Sequence, residues 1–173
     1  MNNNIVLQNI VRFIVLMLLQ VLVLNNVYLG QFINPFLYVL FILMLPTNLP
    51  PLWMLIIAFC TGLGVDVAAN MLGFHAASAT LVAFCRILFA NKILTRGEDV
   101  VIDTPCIYTV ATQTFLLYLF IMLLIYNTFY FLIEAFSFQG WWRLLLASLI
   151  STLITWLLAL IYQVLFLRRM KVK

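Results

Sequence analysis

Ala58-Phe59-Cys60-Thr61-Gly62-Leu63-Gly64-Val65-Asp66 sits inside an apolar run that opens after Pro50-Pro51 and continues to about Ala69, and Gly73-Phe74-His75 follows across a short gap. Ala58, Gly62 and Asp66 recur every four residues, so a helix through this run carries all three on one face. Small residues on such a face let a second helix approach closely, which is how spans associate where lipid removes the hydrophobic drive. The following run offers Ala76, Ala79 and Ala83 at similar spacing. The pattern predicts two helices packed tightly against each other or against a partner.

The rest of the chain reads the same way. It is 66% hydrophobic and only 8% charged over 173 residues, with a mean hydropathy of +1.18. An ordinary soluble composition is about half apolar and about a quarter charged, so this chain uses lipid as its solvent. Every backbone polar group must then be satisfied internally, and the absence of an alternating strand-and-turn pattern selects helices over a barrel. The expectation is an all-α integral membrane protein, one polytopic domain over 1–173. Its spans fall at approximately 5–29, 32–46, 51–69, 73–91, 107–133 and 141–167. Six spans of roughly twenty residues leave short loops and a tail, too little for a separate catalytic domain. Met1-Asn2-Asn3-Asn4 is uncharged and no small-residue cleavage site follows the first run, so that run reads as a retained anchor.

Orientation follows from the basic residues. Lys92 and Arg96 lie in the polar stretch between the fourth and fifth runs, and Arg168, Arg169, Lys171 and Lys173 close the chain. Positive-inside placement puts both segments, and with six spans both termini, in the cytoplasm. Trp141 and Trp142 fit an aromatic belt at the outer face, beside Arg143, the one basic residue that dissents. The run at 32–46 is short and bracketed by Pro35 and Pro46; were it re-entrant, the N-terminus would lie outside. The net charge of +4 is accounted for by this bias and calls for no nucleic acid. The basic tail can also meet anionic lipid headgroups, at about 1 kcal/mol per residue.

Few residues could carry chemistry. Asp66 is a carboxylate within a span, costing about 2.5–3.5 kcal/mol at the bilayer centre and less near a helix end. Two readings stand: a polar contact with His75 across the turn, or a helix-end carboxylate reaching interfacial water. Arg86, one to two turns from the end of its run, either snorkels to the headgroups or forms a buried pair with a carboxylate. Cys60, Cys85 and Cys106 are far apart and read as small apolar residues, not as a disulfide or metal site. No phosphate loop, nucleophile elbow or metal-ligand helix motif is present, so neither an enzyme nor a cofactor is expected. Glu98, Asp99 and Asp103, with Lys92 and Arg96 nearby, make a mixed-charge loop, solvated or a docking surface.

The pair Gly62-x-x-x-Asp66, followed by Leu72-Gly73-x-His75 and a small-residue helix, resembles the rod-shape-determining MreD family. Asn34-Pro35 at the opening of the second run, the chain length and the basic tail are similar to that family too. The resemblance spans nearly the whole chain, on a motif of Asn34, Pro35, Gly62, Asp66 and Gly73. It implies a non-enzymatic scaffold in the bacterial plasma membrane that supports lateral peptidoglycan synthesis and rod shape. Its partner would be an MreC-like periplasmic protein, and through it a RodA-like polymerase, a class B penicillin-binding protein and the MreB filament. It also implies a fold similar to the substrate-binding subunits of energy-coupling-factor vitamin or metal transporters. That rival function predicts a polar pocket deep between helices, for which the sequence offers Asp66, Asn70, His75, Gln113 and Asn127, spread over several spans.

Overall fold

The structure, a computed structural model, describes residues 3–26, 34–93, 104–135 and 141–167. Among them there is no strand. Helix α1 covers Asn3–Leu18 and runs on through a π turn at Leu19–Val23 and a 3-10 turn at Leu24–Asn26. The remaining helices are α2 (Val39–Leu43), α3 (Pro51–Ala69), α4 (Phe74–Ile93), α5 (Thr112–Ala135) and α6 (Trp141–Tyr162), the last continuing as a π turn over Gln163–Leu167. Among the described residues four helices are long and apolar enough to cross a membrane: Val6–Asn26, Pro51–Ala69, Thr112–Ala135 and Trp141–Phe166. The apolar stretch of α4, Phe74–Phe89, is shorter.

Local chemistry sets the helix ends. Pro51 opens α3 at a position where an N–H would have no partner anyway. Asn70 closes it in the left-handed conformation at φ 54°, its N–H and that of Met71 both turned back to the Asp66 carbonyl. α5 begins at Thr112 because the preceding residues are turned: the Thr109 and Val110 amides both donate to the Cys106 carbonyl. Its start is therefore five residues later than the expected span.

The second apolar run departs furthest from the expected span over 32–46. Within its described part only Val39–Leu43 is α-helical, about 7.5 Å of rise against the roughly 30 Å of a bilayer core. Its flanks are tightened, with Val39, Leu40 and Phe41 amides donating to carbonyls three residues back. Residues 35–46 are all buried, although the sequence is apolar on every side. Hydropathy put this segment away from water correctly. It did not say that protein rather than lipid would surround it. The segment lies beside α4: the Phe36 ring is 4.9 Å from His75 at its start, and the Ile42 carbonyl accepts from Arg86 eleven residues further along. The α3–α4 hairpin, α5 and α6 enclose it, and α1 closes the remaining side.

Candidate functional site

The α3–α4 hairpin is built at backbone contact. A Cβ on Gly62 would meet the Ala76 Cα and the His75 carbonyl at 2.6 Å and the Ala76 nitrogen at 2.8 Å. Ala58, Gly62 and Asp66 of α3 are buried, as are Ala76, Ala79 and Ala83 of α4. Gly64, two residues on, points elsewhere and meets only the tip of Met17 at 3.3 Å.

Asp66 caps its neighbour. The Gly73 carbonyl accepts from the Ala77 amide, so Gly73 is the residue whose side chain would normally cover the first free N–H groups of α4. Its φ of +91° favours glycine, and the space around it is open, so conformation rather than room decides the residue. The missing side-chain cap comes from α3 instead. Asp66 Oδ1 accepts from the His75 amide at 3.1 Å and Oδ2 from the Ala76 amide at 2.8 Å. A carboxylate on two amides at the positive end of a helix is charge-assisted and aligned with the dipole. Asp66 is 1% exposed, so the interfacial-water reading does not hold. The contact is with the backbone of His75, not with its ring.

The His75 ring turns into an aromatic cluster. Its Nδ1 is 2.8 Å from the Tyr126 hydroxyl, which lies 2.7 Å from the Tyr38 hydroxyl, and Tyr38 donates to the His75 carbonyl at 3.5 Å. Phe36 packs edge-on to His75, and Tyr130 lies 4.7 Å from it. All five side chains are buried, so this centre is filled by rings.

The other polar side chains serve the 34–46 segment. Asn34 and Phe36 amides donate to Ser151 Oγ (3.2 Å) and Thr155 Oγ1 (3.1 Å) of α6. Gln20, in the π turn after α1, donates to the Pro35 carbonyl at 3.1 Å and accepts from the Tyr38 amide at 3.4 Å. At the far end Arg86 donates to the Ile42 carbonyl at 2.9 Å and to the Leu45 carbonyl. Arg12 donates to the Met44 carbonyl at 3.3 Å and to Asn9 Oδ1 at 3.0 Å. The last carbonyls of a helix have no partner in it and carry its negative end, so two guanidinium groups suit the end of α2. Arg86 is fully buried; it neither snorkels nor, among the described residues, meets a carboxylate. The second π turn repeats the device, with Gln163 Oε1 accepting from the Ile107 amide at 3.1 Å.

Sequence reasoning missed Arg12, Gln20, Ser151 and Thr155 as functional positions. A signal was present in α6, where Ser148, Ser151, Thr152 and Thr155 form one buried helical stripe. The polar candidates for a ligand pocket are not gathered. Asn70 is exposed at the end of α3 and Gln113 at the start of α5, while Asn127 donates to Leu123 within its own helix at 2.9 Å. Cys60, Cys85 and Cys106 are free thiols. Arg96, Arg168, Arg169, Lys171 and Lys173, on which the orientation rests, lie outside the described residues, as does the side chain of Lys92. Comparison with protein-family models, with curated proteins and with solved structures returns no match.

Proposed function

We propose that this chain is a non-enzymatic scaffold subunit of the bacterial cell-elongation complex. It would sit in the plasma membrane, cross it six times with both termini in the cytoplasm, and bind an MreC-like partner. One observation carries the reading. The five positions of the MreD resemblance all work on the backbone of the bundle: Asn34 and Pro35 anchor the buried segment to Ser151 and Gln20, Gly62 admits α4, and Gly73 and Asp66 together begin it. A motif made of packing and capping positions suits a protein that works by shape and contact. The same buried polar groups are occupied in holding backbone, which leaves few for a substrate. The 34–46 segment, running beside α4, would make the second of the six crossings, buried in protein as irregular backbone at membrane depth must be.

The experiment is affinity purification of the tagged chain from native membranes in mild detergent, with the co-purifying proteins identified by mass spectrometry. Recovery of an MreC-like protein with a wall polymerase and a transpeptidase is the expected result. Recovery of paired ATPases with a coupling membrane subunit would overturn the scaffold reading in favour of vitamin or metal transport.

A further inference from the structure

The chain has one histidine, and the hydrogens around its ring can be counted. His75 Nδ1 lies 2.8 Å from the Tyr126 hydroxyl, which lies 2.7 Å from the Tyr38 hydroxyl, and Tyr38 faces the His75 carbonyl at 3.5 Å. These atoms close a loop from the His75 ring to its own backbone. Arg86 Nε, Tyr118 Oη, Asn127 Oδ1 and Gln163 Nε2 are unpartnered and fully enclosed. His75 Nε2 also meets no hydrogen-bond partner among the described residues, but it is not enclosed with them and keeps a small accessible face.

A neutral imidazole carries one N–H and one lone pair, and the partners of its two nitrogens decide which is which. The loop has a hydrogen on the ring and one on each phenol to place. With the ring hydrogen on Nδ1, that nitrogen donates to Tyr126, Tyr126 to Tyr38 and Tyr38 to the His75 carbonyl. Every hydrogen then has an acceptor. With the ring hydrogen on Nε2, the loop runs the other way, from Tyr38 through Tyr126 to Nδ1, and the Nε2–H has no acceptor in the protein. The first arrangement makes one bond more and leaves no donor unmade, as buried polar groups require.

We infer that His75 is held as the neutral Nδ1–H tautomer with its Nε2 lone pair open, a proton-binding site that charges in acid without moving the side chains around it. The proton adds at Nε2, and the ring keeps its bond to Tyr126. The titratable groups facing the ring are Asp66 of α3, whose carboxylate holds the His75 amide, Tyr38 of the buried segment, and Tyr126 and Tyr130 of α5, with Glu134 beyond Tyr130. Asp66 balances a positive ring, and the Tyr130 ring, 4.7 Å away, suits a cation. Because His75 joins the 34–46 segment, α4 and α5, its protonation is a pH-sensitive setting of the contact between them. The site is independent of the scaffold reading.

With a single histidine, ¹⁵N-histidine labelling gives the full-length, unaltered chain in detergent one pair of ring-nitrogen signals. The expected spectrum at neutral pH shows Nδ1 protonated and Nε2 unprotonated, the reverse of histidine in water, where the Nε2–H form predominates. On acidification, over the range in which circular dichroism shows the helices intact, Nε2 should move to the imidazolium position while Nδ1 stays protonated. Tyr38→Phe removes the path back to the carbonyl, so the Tyr126 hydrogen turns to Nδ1 and the tautomer should switch to Nε2–H. An Nε2–H tautomer in the unaltered protein would overturn the inference. So would a ring already charged at neutral pH, or an Nε2 that stays unprotonated until the helices unfold. An unswitched tautomer in a folded Tyr38→Phe variant would overturn the loop; if that variant does not fold, the spectra of the unaltered protein decide alone.

Discussion

Replacing Gly62 by alanine adds one methyl group where α3 meets the backbone of His75 and Ala76 at the start of α4. The nearest atoms, the Ala76 Cα and the His75 carbonyl at 2.6 Å, cannot rotate away as a side chain would. Relief to ordinary contact near 3.4 Å requires the start of α4 to withdraw by about 0.8 Å, since interiors are packed without spare volume. The same displacement stretches the Asp66 bonds, now 3.1 and 2.8 Å, to about 3.9 and 3.6 Å, past the useful hydrogen-bond range. Overpacking costs about 1–3 kcal/mol and loss of a charged hydrogen bond about 1.5–3 kcal/mol. A total near 3 kcal/mol is thus expected even if one cap bond survives. Gly64→Ala, which meets only the mobile end of Met17 at 3.3 Å, should change stability by less than about 0.5 kcal/mol. The assay is unfolding of the purified variants in mixed detergent, followed by helical circular dichroism. A double-mutant cycle sharpens it: once Gly62→Ala has pulled α4 off the carboxylate, Asp66→Ala should add little. Equal tolerance at Gly62 and Gly64, or fully additive costs for the Gly62–Asp66 pair, would refute the reasoning.

Asp66→Ala alone should cost about 3 kcal/mol or more, because it uncovers two buried amides, while Asp66→Asn keeps one acceptor and should cost about half as much; the same unfolding assay ranks them, and equal losses would remove the capping argument. In cells Asp66→Ala should also weaken complex assembly or rod shape, read as cell width and growth. Arg86→Met strips the Ile42 and Leu45 carbonyls of their donor and should destabilise by about 2–4 kcal/mol, and Arg86→Lys should restore less than half of it because one ammonium lacks the planar fork; full rescue by lysine would mean that charge alone matters there. Tyr126→Phe removes the hydroxyl between His75 Nδ1 and Tyr38 and should cost about 1–2 kcal/mol, with a shifted His75 ¹⁵N resonance; an unmoved resonance would contradict the contact.

The hairpin was legible from sequence because both of its signals are local. Four-residue spacing places Ala58, Gly62 and Asp66 on one face, and only a residue without a side chain allows the approach seen at Gly62. The role of Asp66 was half legible. A carboxylate near a turn announces a polar contact, but which donor it meets depends on which amides the next helix leaves open. Here Gly73, chosen for its φ, left them open, and that choice is invisible from Asp66. Arg86 was misread because distance to the end of its run suggested an escape to the surface. Hydropathy gives a residue's distance along the chain from water, not the presence of acceptors at the same depth, and the end of α2 supplies them.

The second run shows why the chain's polarity lies where it does. A regular helix satisfies its own amides and carbonyls, so polar side chains on neighbouring helices would gain nothing by facing it. A segment that is helical for only Val39–Leu43 leaves groups open at both ends, and in a bilayer water is not there to take them. Each open group must then be met from another helix, at its own depth. Ser151, Thr155 and Gln20 stand at the level of Asn34–Tyr38, and Arg12 and Arg86 stand at the level of Ile42–Leu45. Polar residues scattered through α1, α4 and α6 thus form one set, ordered by the segment they surround. A break in an apolar run bracketed by prolines, accompanied by isolated Gln, Arg, Ser and Thr in the flanking runs, is therefore a single signal. Read together, those residues specify a buried non-helical backbone before any one of them suggests a ligand.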